Sequence, residues 1–142
     1  MRAATALAAA LPILGASARL VGVKVPSTIA PGDTFTAIMI NEIYIQSVYD
    51  VAVAFGLDIP PGHEGSIGQV IGSTYLGPAL SNQRQNLNLT LTMPESVQKG
   101  SDKIFYAALY SLYGASSMPT ISTFNVTTCI GDVTSEDYVS SL

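Results

Sequence analysis

The sequence predicts an all-β fold, an immunoglobulin- or fibronectin-III-like antiparallel β-sandwich of about seven strands. Short runs rich in Val, Ile, Thr, Tyr and Phe are broken by Pro, Gly and Asn roughly every 10–20 residues. Several runs alternate apolar and polar side chains, the period of a strand with one buried face. Beyond the N-terminal segment, no run carries the apolar period of a helix.

The N-terminal segment reads differently. Arg2 precedes an apolar stretch, Ala3 to Gly15, which is short of the ~20 residues that cross a bilayer. Ala16-Ser17-Ala18 then offers the small-x-small pattern of signal-peptidase sites, so residues 1–18 are expected to be a signal peptide cleaved between Ala18 and Arg19. Residues 19–142 are expected to form a single domain.

Leu20 to Val25 is the first expected strand, closed by Pro26, and Ala30-Pro31-Gly32-Asp33 is a turn. Thr34 to Ile40 and Val48 to Phe55 are the second and third. A Gly- and Pro-rich loop, Gly56 to Gly68, leads to a fourth at Val70 to Leu76, which Gly77-Pro78 ends. Arg84 to Met93, Lys103 to Tyr113 and Pro119 to Ile130 complete the seven. Alternation assigns faces. Leu87, Leu89, Leu91 and Met93 point to the core, opposite Asn86, Asn88, Thr90 and Thr92. Tyr49, Val51, Val53 and Phe55 share one face, which leaves Asp50 on the outer, solvated one beside Ala52 and Ala54. Phe124, Val126 and Ile130 oppose Thr123, Asn125, Thr127 and Cys129. The Lys103–Tyr113 strand is apolar on both faces and is expected at the centre of its sheet. Asp102 and Tyr106 have the spacing of a tyrosine corner, although the Cys and Trp of immunoglobulin domains are missing.

Composition excludes several functions. The formal charge is −4, or −5 once Arg2 is removed with the leader, and Lys24, Arg84, Lys99 and Lys103 form no basic patch. Nucleic acid is therefore not an expected partner. No later stretch is long enough to span a membrane. Cys129 is the single cysteine, so no intrachain disulfide can form. It reads as a half-buried residue of the last strand, in a monomer. A disulfide-linked dimer through Cys129 is the less favoured alternative.

No catalytic site, cofactor site or metal site is expected. His63 is the only histidine, and a His63-Glu64 pair has no Cys or second His to complete a ligand set, so it reads as a solvated loop tip. Asp33, Glu42, Asp50, Asp58, Glu64, Glu95 and Asp102 could furnish a carboxylate pair, but nearly all lie in turns. The loop glycines match no phosphate-binding fingerprint, and no Gly-x-Ser-x-Gly elbow occurs. Tyr106 and Tyr110 are the candidates for an aromatic platform on a carbohydrate-binding module, the alternative function; packing against the core accounts for both. Asn88-Leu89-Thr90 and Asn125-Val126-Thr127 are N-glycosylation acceptors on polar strand faces.

Four blocks carry a family likeness: Ile45 to Gly56; Ile71 to Pro78; Ser111 to Ser117 with Pro119-Thr120-Ile121 and Phe124 to Thr127; and Gly131 to Ser135 with Tyr138 to Ser141. In order along the chain, they resemble the necrosis-inducing secreted protein family of fungi. The resemblance implies a secreted effector that provokes host cell death. It also implies entry into the plant cytoplasm, binding and inhibition of immune-receptor-associated host protein kinases, and suppression of pattern-triggered immunity. The Ser111–Ser117 turn and the Gly56–Gly68 loop are expected to form the binding surface.

Overall fold

The computed structural model describes residues 17–142, which fold as two packed β-sheets. In chain order the strands are β1 (Ser17–Pro26), β2 (Thr28–Ile29), β3 (Thr34–Tyr44), β4 (Val48–Asp58), β5 (Gln69–Tyr75), β6 (Leu87–Thr92), β7 (Ser101–Tyr113), β8 (Met118–Ile130) and β9 (Tyr138–Ser140). One short helix, α1 (Gly77–Leu80), joins β5 to β6. The four-stranded sheet has the order β6-β3-β1-β9 and the five-stranded sheet β2-β8-β7-β4-β5. The sandwich agrees with the sequence, and the short strands β2 and β9 extend the expected seven. The signal-peptide reading of residues 1–16 lies outside the described residues. Ser17 and Ala18 belong to β1, where they pair with Tyr44 and Ile43 of β3.

The core follows the predicted alternation in most strands. Leu87, Leu89 and Leu91 of β6 and Phe35, Ala37 and Met39 of β3 face Val53, Phe55, Phe105, Ala107 and Leu109 of the other sheet. Phe105 is the hub, 5.6 Å from Phe55 and 6.1 Å from Phe35 between ring centroids. Each buried phenylalanine stabilises the fold by roughly 1.5–3 kcal/mol relative to an exposed one. β7 lies at the centre of its sheet, as its two apolar faces predict.

Two expectations about faces are overturned. A bulge between Asp50 and Ala52 inserts one residue into β4 and reverses its alternation. Val53 and Phe55 point inward as expected, but Asp50 is buried at 2 % exposure and is not solvated. Tyr49 pairs with Leu112 and lies outside the core. Tyr106 forms no tyrosine corner with Asp102: it sits on the outer face of β7, with its hydroxyl beside Gly62 of the loop after β4.

Candidate interaction surface

β4 runs unbroken between the two loops expected to form one binding surface. Val48 at its start pairs with Tyr113, and Asp58 at its end pairs with Ile104. At ~3.3 Å per residue the two ends stand ~33 Å apart. The Gly114–Ser117 turn and the loop after Asp58 therefore occupy opposite ends of the sandwich and form no single loop cluster. Three separate regions emerge.

At the Val48 end, the chain crosses from β3 to β4 of the other sheet and this corner abuts the β7–β8 turn, with the Gly114 amide donating to the Ser47 carbonyl at 2.9 Å. The Arg19 guanidinium lies 4.4 Å from the centroid of the Tyr44 ring, which packs edge-on against Tyr113 at 5.9 Å. Arg19 Nε also donates to Glu42 at 2.7 Å. Around this cluster three large apolar side chains face solvent: Ile43 at 79 %, Ile45 at 95 % and Met118 at 60 % exposure. Isolated exposed hydrophobes are ordinary, but three at one sandwich end suit a protein partner.

At the Asp58 end, the chain after β4 folds back over the sheet. A Cβ on outward-facing Gly56 would lie 2.1 Å from the Ile67 carbonyl oxygen, so only glycine admits this approach. Asp58 Oδ1 accepts the Ile59 amide and Oδ2 accepts His63 Nδ1–H, each at 2.8 Å. An ionised carboxylate only accepts, so the proton of this bond belongs to Nδ1. The His63 bond is the main reason that the Asp58 carboxyl is held below its ordinary value, against the opposing effect of burial. His63 is solvent-facing as expected, and its side-chain partner is Asp58. The pair borders a cavity of about 420 Å³ lined also by Leu57, Gln69, Val97 and Lys103. Among the described residues no cluster of His, Cys, Asp and Glu could hold a metal ion.

Between the ends lies the outer face of the five-stranded sheet. Strand register sets its side chains in rows: Tyr75, Ala52, Tyr110, Ile121; then Ser73, Ala54, Ala108, Thr123; then Val70, Gly56, Tyr106, Asn125. The small side chains of the middle row floor a trough. By register Tyr75, Tyr110 and Ile121 stand along one side, and Tyr106 with the overhanging His63–Ile67 segment stands on the other; the cavity between Ile121 and Tyr106 measures about 580 Å³. The rows contain no charged residue. Tyr106 and Tyr110 are thus outer-face residues, not packed into the core, and Tyr75 and Tyr49 join them. The bulge in β4 hid Tyr49; Tyr75, directly before Leu76-Gly77-Pro78, could have been found as an aromatic at a strand end.

The remaining sites are dispersed. Asn88 is exposed on β6 of the four-stranded sheet and Asn125 on β8 of the five-stranded sheet, so the two sequons sit on opposite faces of the sandwich. Cys129 is free and half-buried, as expected. Among the described residues no helix is long and apolar enough to cross a membrane.

Comparison with known proteins gives the architecture its relatives. The Nis1 family model matches residues 16–129. The necrosis-inducing secreted protein 1 of Colletotrichum orbiculare is 45 % identical over 99 % of this chain and 88 % of its own. Its namesake from Colletotrichum higginsianum is also 45 % identical, over 99 % of this chain and 96 % of its own. A looser likeness, to the superoxide reductase (neelaredoxin) of Ignicoccus hospitalis, has a TM-score of 0.47 at 9 % identity over 80 % of each chain. The chain belongs to the Nis1 family and is a secreted protein.

Proposed function

We propose that this chain is an effector that induces host cell death and acts by binding, without catalysis, to kinases associated with plant immune receptors, lowering their activity and suppressing pattern-triggered immunity. The observation that carries the reading is the 45 % identity to necrosis-inducing secreted proteins across almost the whole chain. The kinase target rests on the family resemblance of the sequence blocks. Ile43, Ile45 and Met118 supply apolar anchors of the kind that dominate protein interfaces once desolvated. Residues 1–18 act as the signal peptide in this reading, and the mature chain begins at Arg19, inside β1. Asn88 and Asn125 are its glycan acceptors; loss of mass on enzymatic deglycosylation of the secreted protein tests them.

The decisive experiment is a pull-down of the folded secreted protein with cytoplasmic kinase domains of plant immune co-receptors, with an unrelated kinase as control and autophosphorylation read in parallel. Selective capture with reduced phosphorylation is expected. An Ile45→Asp variant should bind at least roughly tenfold more weakly, since losing a central apolar anchor costs ~2 kcal/mol or more. Equal capture of both kinases, or of neither, would refute the kinase reading.

A further inference from the structure

The outer-face tyrosines are held in position although they face solvent. Tyr75 is 68 % exposed, yet its hydroxyl lies 3.2 Å from that of Tyr49, and its ring rests on Gly77, where a Cβ would come within 2.6 Å of two ring carbons and the hydroxyl oxygen. Gly77 also has φ +63°, so glycine is favoured there on two grounds. An exposed ring fixed from two sides loses little freedom when a ligand stacks on it. Tyr110 is 37 % exposed in the same row, and only Ala52 stands between the two.

We infer that Tyr75 and Tyr110 form a binding platform for a neutral, extended β-1,4-linked hexose chain. Two strand spacings, ~9.5 Å, separate the backbone positions that carry the two rings. That is close to the repeat after which such a chain turns the same sugar face to the same side, so alternate sugars meet successive tyrosines. Stacked sugar faces want aromatic rings, and the hydroxyls at their edges want neutral donors and acceptors. Ser73 and Thr123 supply these from the trough floor, and Ser66 from the overhanging loop. The three rows carry no charge, and the one carboxylate lining the trough, Glu64 of the overhanging loop, accepts from sugar hydroxyls and disfavours an anionic ligand. This platform lies apart from the Ile45 end and is independent of the kinase reading.

The test titrates the folded full-length secreted protein with soluble hexamers of β-1,4-glucose, β-1,4-N-acetylglucosamine and β-1,3-glucose. The chain has no Trp, so tyrosine emission and calorimetry report binding directly. Saturable binding to one or both β-1,4 hexamers is expected. Tyr75→Ala and Tyr110→Ala should each weaken it roughly two- to tenfold, the range of a single aromatic contact. Tyr75→Phe, which keeps the ring, should weaken it less, and Ile45→Asp not at all. Absence of binding to either β-1,4 hexamer, preference for the β-1,3 chain, or alanine variants that bind as the parent does would overturn the inference. Circular dichroism of each variant separates lost binding from lost fold.

Discussion

The two ends of β4 each bury an aspartate, and the two carboxyls respond in opposite directions. Asp50 is 2 % exposed and Asp58 9 %, and Asp50 lies the deeper of the two, so that desolvation leads at Asp50 and is a lesser effect at Asp58. The partner differs as well. Asp50 Oδ1 accepts from the Ser111 hydroxyl at 2.7 Å, a neutral donor. Desolvation dominates there and raises the carboxyl above its ordinary value of 3.8, with the Ser111 bond opposing. Asp58 has an imidazole within reach, and that bond outweighs desolvation and lowers it. A carboxylate is thus a cost or a support according to its depth and to what its neighbour donates.

The largest expected effect comes from removing the side-chain donor of the Asp50 carboxylate, the one it has among the described residues. Ser111→Ala leaves a buried carboxylate oxygen without its hydrogen bond and should destabilise the fold by ~1.5–3 kcal/mol at pH 7 in urea titrations. The cost should shrink toward acid pH, where Asp50 is protonated. An undiminished cost at low pH would mean that the loss is one of packing. Asp50→Asn sharpens the point with a smaller effect. Because the folded carboxyl is raised, the native state binds more protons than the unfolded chain between 3.8 and the folded value, and stability falls as pH rises through that window. The Asn variant lacks this term, so its stability relative to the parent should improve from acid to neutral pH. A flat difference would show that Asp50 titrates alike in both states.

Much of this was legible in the sequence, and the illegible part has a common cause. The Leu87-Leu89-Leu91 alternation and the double apolar face of β7 gave correct burial because those strands keep an uninterrupted period of two. β4 does not. Its bulge falls in Val48-Tyr49-Asp50-Val51-Ala52, where no Gly or Pro marks it, and every face assignment before it is inverted. The buried Asp50 and the outward Tyr49 are both consequences. The trough was hidden for a different reason: strand register, absent from any single segment, sets Tyr75 and Tyr110 in one row. The Asp58–His63 pair spans five residues across Pro60-Pro61-Gly62 and was within reach of a local turn argument. Gly56 and Gly68 signalled a loop, but not that it closes back onto the sheet.

His63→Ala addresses the other end of β4 and should have the smallest effect of the three. The side chain of His63 is 68 % exposed, so solvent screens much of its interaction with Asp58. A lowered carboxyl contributes stability above its unfolded value, and that contribution disappears as pH falls through the folded one. The parent should therefore be slightly more stable than His63→Ala at pH 6, with the gap closing below the ordinary carboxyl value of 3.8. Thermal melts of both proteins from pH 2 to pH 6 read this as two curves that converge on the acid side. The Asp50 pair should diverge along the other limb, with the Asn variant gaining on the parent as pH rises. If the His63 curves stayed parallel throughout, the Asp58 shift would belong to the Ile59 amide, which also donates to that carboxyl. The contrast between the two ends would then rest on backbone geometry and not on the imidazole.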